Sequence, residues 1–176
     1  MTHKEIPVPH GSALTLDCRI EAGGWPEIET LEALAQTTFD AVTGNASFRR
    51  ACTLVEGSEV SILFTDDDHI AAINFEFRHQ KKPTNVLSFP QMPADSEVFG
   101  PYLGDIVLAF ETVFREAGLE NKESMHHLQH LLVHGFLHLV GYDHVSDEEA
   151  ETMESLERDI LRDLGIDDPY KDMIEQ

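Results

Sequence analysis

Residues 124–140 constrain the fold more than any other stretch of the chain. Written as a helix, they place Leu128, Leu131, Leu132, Val133, Phe136, Leu137 and Leu139 around most of the circumference, and a helix apolar on nearly every side belongs in the middle of a domain. The remainder must wrap it. The polar exceptions on this helix therefore carry information. His130, His134 and His138 recur at four-residue intervals, so they share a face. The imidazoles of His134 and His138 can converge on one divalent ion at ~2 Å from each nitrogen. His130 cannot join them, because it stands about 12 Å from His138 along the axis. Burial makes an imidazolium costly, so His134 and His138 are expected in the neutral form, which is the form that binds metal.

A third ligand has to come from beyond the helix. Gly141 can take the left-handed conformation that ends it, turning His144 back toward the other two. Three neutral nitrogens with an open fourth position describe a catalytic zinc site, one ion per chain, rather than a closed structural one. The run H-G-F-L-H-L-V-G-Y-D-H over 134–144 resembles the zincin pattern H-E-x-x-H-x-x-G-x-x-H, with Gly135 where those proteases have glutamate. That glutamate moves the proton from water to the leaving amine without being a ligand. Its loss disfavours peptide hydrolysis and leaves metal binding intact. Of the ten histidines, six lie between His126 and His144; His126, His127 and His130 read as helix-surface or ligand-supporting groups. Asp143 either orients an imidazole or fixes its own turn. Met153 reads as a floor under the ion or as ordinary core.

Around the central helix, apolar periodicity gives four strands and four further helices. The strands are expected at 14–20, 59–65, 86–89 and 103–110. Helices are expected at 27–42, 69–77 (capped by the acids 66–68), 111–117 and 147–164, with a loop at 91–101. This order is that of an α+β domain with a small sheet whose pairing stays open.

The chain has 176 residues, 41% of them apolar, enough for one domain over 1–176 with a flexible 1–11. No secretory or membrane-spanning stretch is read, so a cytoplasmic protein is expected. Cys18 and Cys52 are too few for a disulfide framework and read as small core residues. A formal charge of -21 argues against a general nucleic-acid binder, since phosphate binding rests on Lys and Arg. The basic residues are unevenly spread, however. Arg49, Arg50, Arg78, Lys81 and Lys82 can form a local basic lip, and 78–91 contains no acid. Thirteen acids against three bases over 143–176 read as a solvated helix face or as a surface for a protein partner.

A second constellation completes the reading: Asn74-Phe75-Glu76-Phe77-Arg78, then Pro83-Thr84-Asn85-Val86-Leu87-Ser88-Phe89-Pro90, then Leu103-Gly104-Asp105-Ile106. Together with the histidine run, these segments resemble the YbeY family of bacterial metal-dependent endoribonucleases, also called rRNA maturation factors, over about 74–156. The resemblance implies an α+β fold with a small mixed four-stranded sheet, about five helices, and a zincin-like three-histidine site on the central helix. It implies zinc on His134, His138 and His144, a functional arginine at Arg78, and single-stranded RNA as substrate in small-subunit rRNA 3′-end maturation and ribosome quality control, with ribosomal or assembly proteins as partners and no membrane. Asp105 and Thr84 match as well, with architectural roles: a strand-end or supporting acceptor and a turn hydroxyl. One departure stands out. Gln80 and Lys81 occupy places where the family commonly has lysine and aspartate, which adds positive charge beside the presumed phosphate site.

Zinc lowers the pKa of bound water toward ~7 and polarises a phosphoryl oxygen. Arg78 would hold the scissile phosphate as charge builds, unless it is spent in a surface ion pair. Metal-activated water and the RNA 2′-hydroxyl are both open as nucleophile. Two other classes compete: a non-catalytic ribosome-assembly factor with a structural metal, and a zincin-like protease drawing its base from elsewhere.

Overall fold

Strands joined in parallel need crossover helices, and the chain supplies them in alternation. A computed structural model describes residues 14–170; the expected flexibility of 1–11 falls outside these. In order, the elements are β1 (Leu14–Ile20), α1 (Ile28–Gly44), α2 (Ala46–Ala51), β2 (Thr53–Leu54), β3 (Ser58–Thr65), α3 (Asp67–Arg78), β4 (Val86–Pro90), β5 (Val98–Phe99), β6 (Tyr102–Ala109), α4 (Phe110–Leu119), α5 (Ser124–Leu139) and α6 (Asp147–Asp163).

The main sheet is four-stranded in the order β1-β3-β6-β4. β1, β3 and β6 run parallel, and β4 lies antiparallel along one edge, with Ser88 opposite Ile106. The α+β class and the mixed four-stranded sheet are as expected, and the pairing is now fixed. Alternation along β6 feeds two layers: Ile106 and Leu108 join the large core with α1 and α5, while Val107 and Ala109 pack with Ile70 of α3 on the other face.

The central helix sits where its sequence demands. Leu128, Leu132, Val133, Phe136, Leu137 and Leu139 of α5 are wholly buried, each such side chain contributing about 1.5–3 kcal/mol on leaving water. Phe136 meets Phe39 of α1 and Phe48 of α2 at ring separations of 5.1 and 6.0 Å. Among the described residues there are six helices; the unexpected one is α2, whose six residues are too few to show a period. Its start is set by Asn45, whose side chain accepts from the Phe48 amide. The stretch 91–101 is likewise not all loop, since β5 pairs with β2 as a two-residue ladder.

The acids before α3 do more than favour its dipole. Asp66 caps the helix by accepting from the His69 amide. Asp67 accepts from the amide and the hydroxyl of Thr112 at 3.1 and 2.7 Å, and its own amide donates to Glu111 at 2.7 Å. The first turns of α3 and α4 are thereby stapled. No helix among the described residues is long and apolar enough to cross a membrane.

Candidate metal centre

The site is assembled at the end of α5. The Tyr142 amide donates to Leu137 O at 3.0 Å and the Gly141 amide to His138 O at 3.3 Å, the paired bonds of a Schellman stop. Gly141 has φ 95°, and a Cβ there would lie 2.5 Å from Ala94 O. The reversed chain is then locked by Asp143, whose carboxylate accepts the His144 amide at 2.8 Å. Asp143 is thus the turn-fixing residue; its oxygen stays 3.7 Å from His144 Nδ1, beyond hydrogen-bond reach.

The three imidazoles converge. Nε2 of His134 and Nε2 of His138 are 3.1 Å apart, and one ligand atom from each of His134, His138 and His144 lies within 4.8 Å of the others. Two nitrogens on a tetrahedral zinc are separated by about 3.3 Å, so the donor set fits such an ion. Burial, reinforced by His134 and His144 beside it, pushes the His138 imidazole down to about 4. It is neutral at physiological pH, with its lone pair available.

Behind His134 stands a carboxylate that sequence reasoning missed. Glu157 of α6 is fully buried and accepts from His134 Nδ1 at 2.7 Å and from His130 Nε2 at 3.2 Å; the Tyr170 hydroxyl also donates to it. Burial alone would raise its pKa, but the hydrogen bonds from the two histidines prevail and hold it at about 2. Its signal was present in the spacing, for Glu157 falls on the apolar face of α6, four residues after Met153 and three before Ile160.

Gly135 faces the sheet, not the ion. A Cβ there would lie 3.1 Å from both Ser88 Oγ and Ile106 Cγ2, and Ser88 Oγ already donates to Gly135 O at 2.9 Å. A glutamate at this position has to displace atoms of β4 and β6. At this point the helix lies directly on the strands, which leaves little room for the side chain a zincin carries.

A cleft of about 530 Å³ opens over the histidines, lined by His134, His138, His144, Arg78, Asn85 and Ser88 among others. Arg78 reaches it from the last turn of α3, at the negative end of the helix dipole. Among the described residues Arg78 makes no ion pair, so its guanidinium is not spent on a carboxylate. The family model described as Endoribonuclease YbeY matches residues 22–165. The chain belongs to the YbeY family. A relative from Sinorhizobium medicae (strain WSM419), named Endoribonuclease YbeY, is 49% identical over 164 residues, covering 92% of this chain and 98% of its own. Another of that name, from Rhodopseudomonas palustris (strain HaA2), is 46% identical over 180 residues, covering 98% and 86%. The solution structure of a Thermotoga maritima protein shares the fold, with a TM-score of 0.53 at 24% identity over 85% of this chain and 91% of that one.

Within this YbeY-family chain the remaining motif residues divide. Met153 is core. Asp105 accepts from the Tyr102 hydroxyl at 2.9 Å and lines a separate groove on the α3 side of the sheet with Phe77 and Phe89. Thr84 does not line the cleft, and neither do Gln80, Lys81, Lys82, Arg49 or Arg50. Of these, Lys81 lies with its ammonium 5.4 Å from the centre of the Phe75 ring. The three earlier histidines of α5 part ways: His126 pairs with exposed Glu123 at 3.0 Å, whereas His127 is buried beside Glu116 at 3.2 Å. Glu116 in turn accepts from Asn85 of the cleft at 3.0 Å. Both cysteines are free thiols, and burial pushes each up to about 11; they stay protonated.

Proposed function

We propose that this YbeY-family chain is a zinc-dependent endoribonuclease that acts as a single domain on single-stranded RNA. Its place would be small-subunit rRNA 3′-end maturation and ribosome quality control in the cytoplasm. The observation that carries the reading is the cleft itself: Arg78, with no ion pair among the described residues, lines it together with the three histidines, while Gly135 leaves no protease base. The YbeY relatives are named as endoribonucleases, which supports the same chemistry.

Held by His134, His138 and His144, one zinc ion would supply Lewis acidity to a phosphoryl oxygen and to water. The chain's own groups do the rest. Neutral His138 keeps its lone pair at cytoplasmic pH. Arg78 binds the phosphate bidentately and stabilises the charge that builds on its oxygens. The ends of the products identify the nucleophile: a 2′,3′-cyclic phosphate opposite a 5′-hydroxyl marks the 2′-hydroxyl, and a 5′-phosphate opposite a 3′-hydroxyl marks water.

The test is metal analysis paired with cleavage of single-stranded RNA. His138→Ala is expected to lose both metal and cutting. Arg78→Ala should keep full metal content and lose cutting by about 10²–10³-fold, the range for removing one charge-stabilising donor. Cutting that survives both substitutions and chelation sinks the proposal. A second reading, a non-catalytic assembly factor, is favoured by the acidic exposed face of α6; it expects metal uptake without cutting by the wild type.

A further inference from the structure

A fully buried carboxylate that pairs with no lysine or arginine among the described residues is an expensive feature. Glu157 is 0% exposed, on a helix face otherwise filled by Met153, Leu156 and Ile160. Leucine at this position would stabilise the core, whereas desolvating a carboxylate costs several kcal/mol unless its partners are well placed. Those partners are unusually specific. One oxygen, Oε2, takes the His130 ring at 3.2 Å and the Tyr170 hydroxyl. The other, Oε1, is left for a single contact, His134 Nδ1 at 2.7 Å.

This division fixes the chemistry of His134. An ionised carboxylate accepts only, so Nδ1 of His134 must carry the proton and Nε2 must carry the lone pair. Nε2 is the atom that lies 3.1 Å from His138 Nε2 on the side of the ion position. Among the described residues neither of the other two imidazoles has an equivalent. The Asp143 carboxylate stands 3.7 Å from His144 Nδ1, and both side chains are more than half exposed. Among the described residues no carboxylate hydrogen-bonds to His138, whose Nε2 faces that of His134.

We propose that Glu157 is a positioning residue for the metal ligand His134, and that His130 and Tyr170 clamp its far oxygen so that the near one sets the tautomer and orientation of that imidazole. This rests on the reading of the triad as a metal site. A carboxylate behind a ligating histidine fixes its ring and raises its basicity, and removing such a partner weakens metal binding by about 10–100-fold. Tyr170 lies beyond the end of α6, so the segment after that helix contributes to metal affinity without touching the ion.

The experiment is zinc titration of the full chain against a chromophoric chelator, with apo-protein unfolding measured in parallel. Glu157→Gln is expected to bind zinc about 10–100-fold more weakly. Tyr170→Phe, which keeps the bond to His134, should show a smaller loss in the same direction. A folded Glu157→Gln protein with wild-type zinc affinity overturns the proposal, whatever its stability. A wild type that takes up no zinc brings down the metal reading and this one with it. Should Glu157→Gln fail to fold, imidazole nitrogen NMR of the wild-type apo-protein decides: His134 is expected with its proton on Nδ1 before metal is added, and a proton on Nε2 overturns the inference.

Discussion

His138 and Glu157 make the metal-free protein acid-sensitive in two successive windows. Folded His138 stays neutral down to about 4, while the unfolded chain takes up that proton near ~6.5. Between those values the unfolded state binds more protons, so stability falls as pH drops from about 6.5 to about 4. Because His138 is only partly buried, its share is on the order of 1 kcal/mol. Glu157 extends the loss. Its folded value of about 2 lies below the unfolded ~4.3, so its contribution is complete above ~4.3 and drains away as pH falls through about 2. Urea unfolding of chelated protein at a series of pH values checks this; a midpoint that holds steady between neutrality and about pH 4 contradicts it. At this scale the sequence exposed His134, His138 and His144 because ligand spacing is local to one helix and one turn. Glu157 was hidden among the acids of 143–176, where only its place on the apolar face of α6 set it apart.

At the scale of elements, the stop of α5 does as much as the helix. Gly141→Ala forces a side chain into φ 95° and within 2.5 Å of Ala94 O, which costs about 1–3 kcal/mol. His144 should be displaced while the pair His134 and His138 keeps its separation, because that pair belongs to the helix proper. The expected outcome is a lower unfolding midpoint together with weaker zinc binding; unchanged zinc affinity would mean that His144 is placed by something other than this turn. Long periodic elements were readable in advance, as α1, α5 and α6 illustrate. The two-residue ladder of β2 with β5 was not, since its bonds join residues more than forty positions apart and carry no local pattern. Nor was the parallel order of β1, β3 and β6, which is decided by packing on α1 and α5.

Over the whole molecule, charge sets the terms of any encounter with RNA. A net -21 repels phosphates from most of the surface, leaving Arg78 in the cleft and Lys81 and Lys82 on the loop after α3. With about three phosphate contacts, the slope of log affinity against log salt should be no steeper than about -2 for a single strand. Binding of an RNA oligonucleotide to the Arg78→Ala protein, which keeps two of the three contacts, should give a slope no steeper than about -1.4 over a salt series, and a slope near about -5 would require a second basic surface. The stapled first turn of α3 has a mechanical meaning here. Pinned through Asp67 to Thr112 and Glu111, and held at its far end by Phe77 against Phe89 and by Asn74 on Lys82 O, the helix is a strut fixed at both ends. Over its length of about 18 Å, a free tilt of about 5° would swing the far end by about 1.5 Å, and the contacts at that end oppose it. The position of the arginine over the cleft is therefore set by two joints whose residues lie outside the cleft lining.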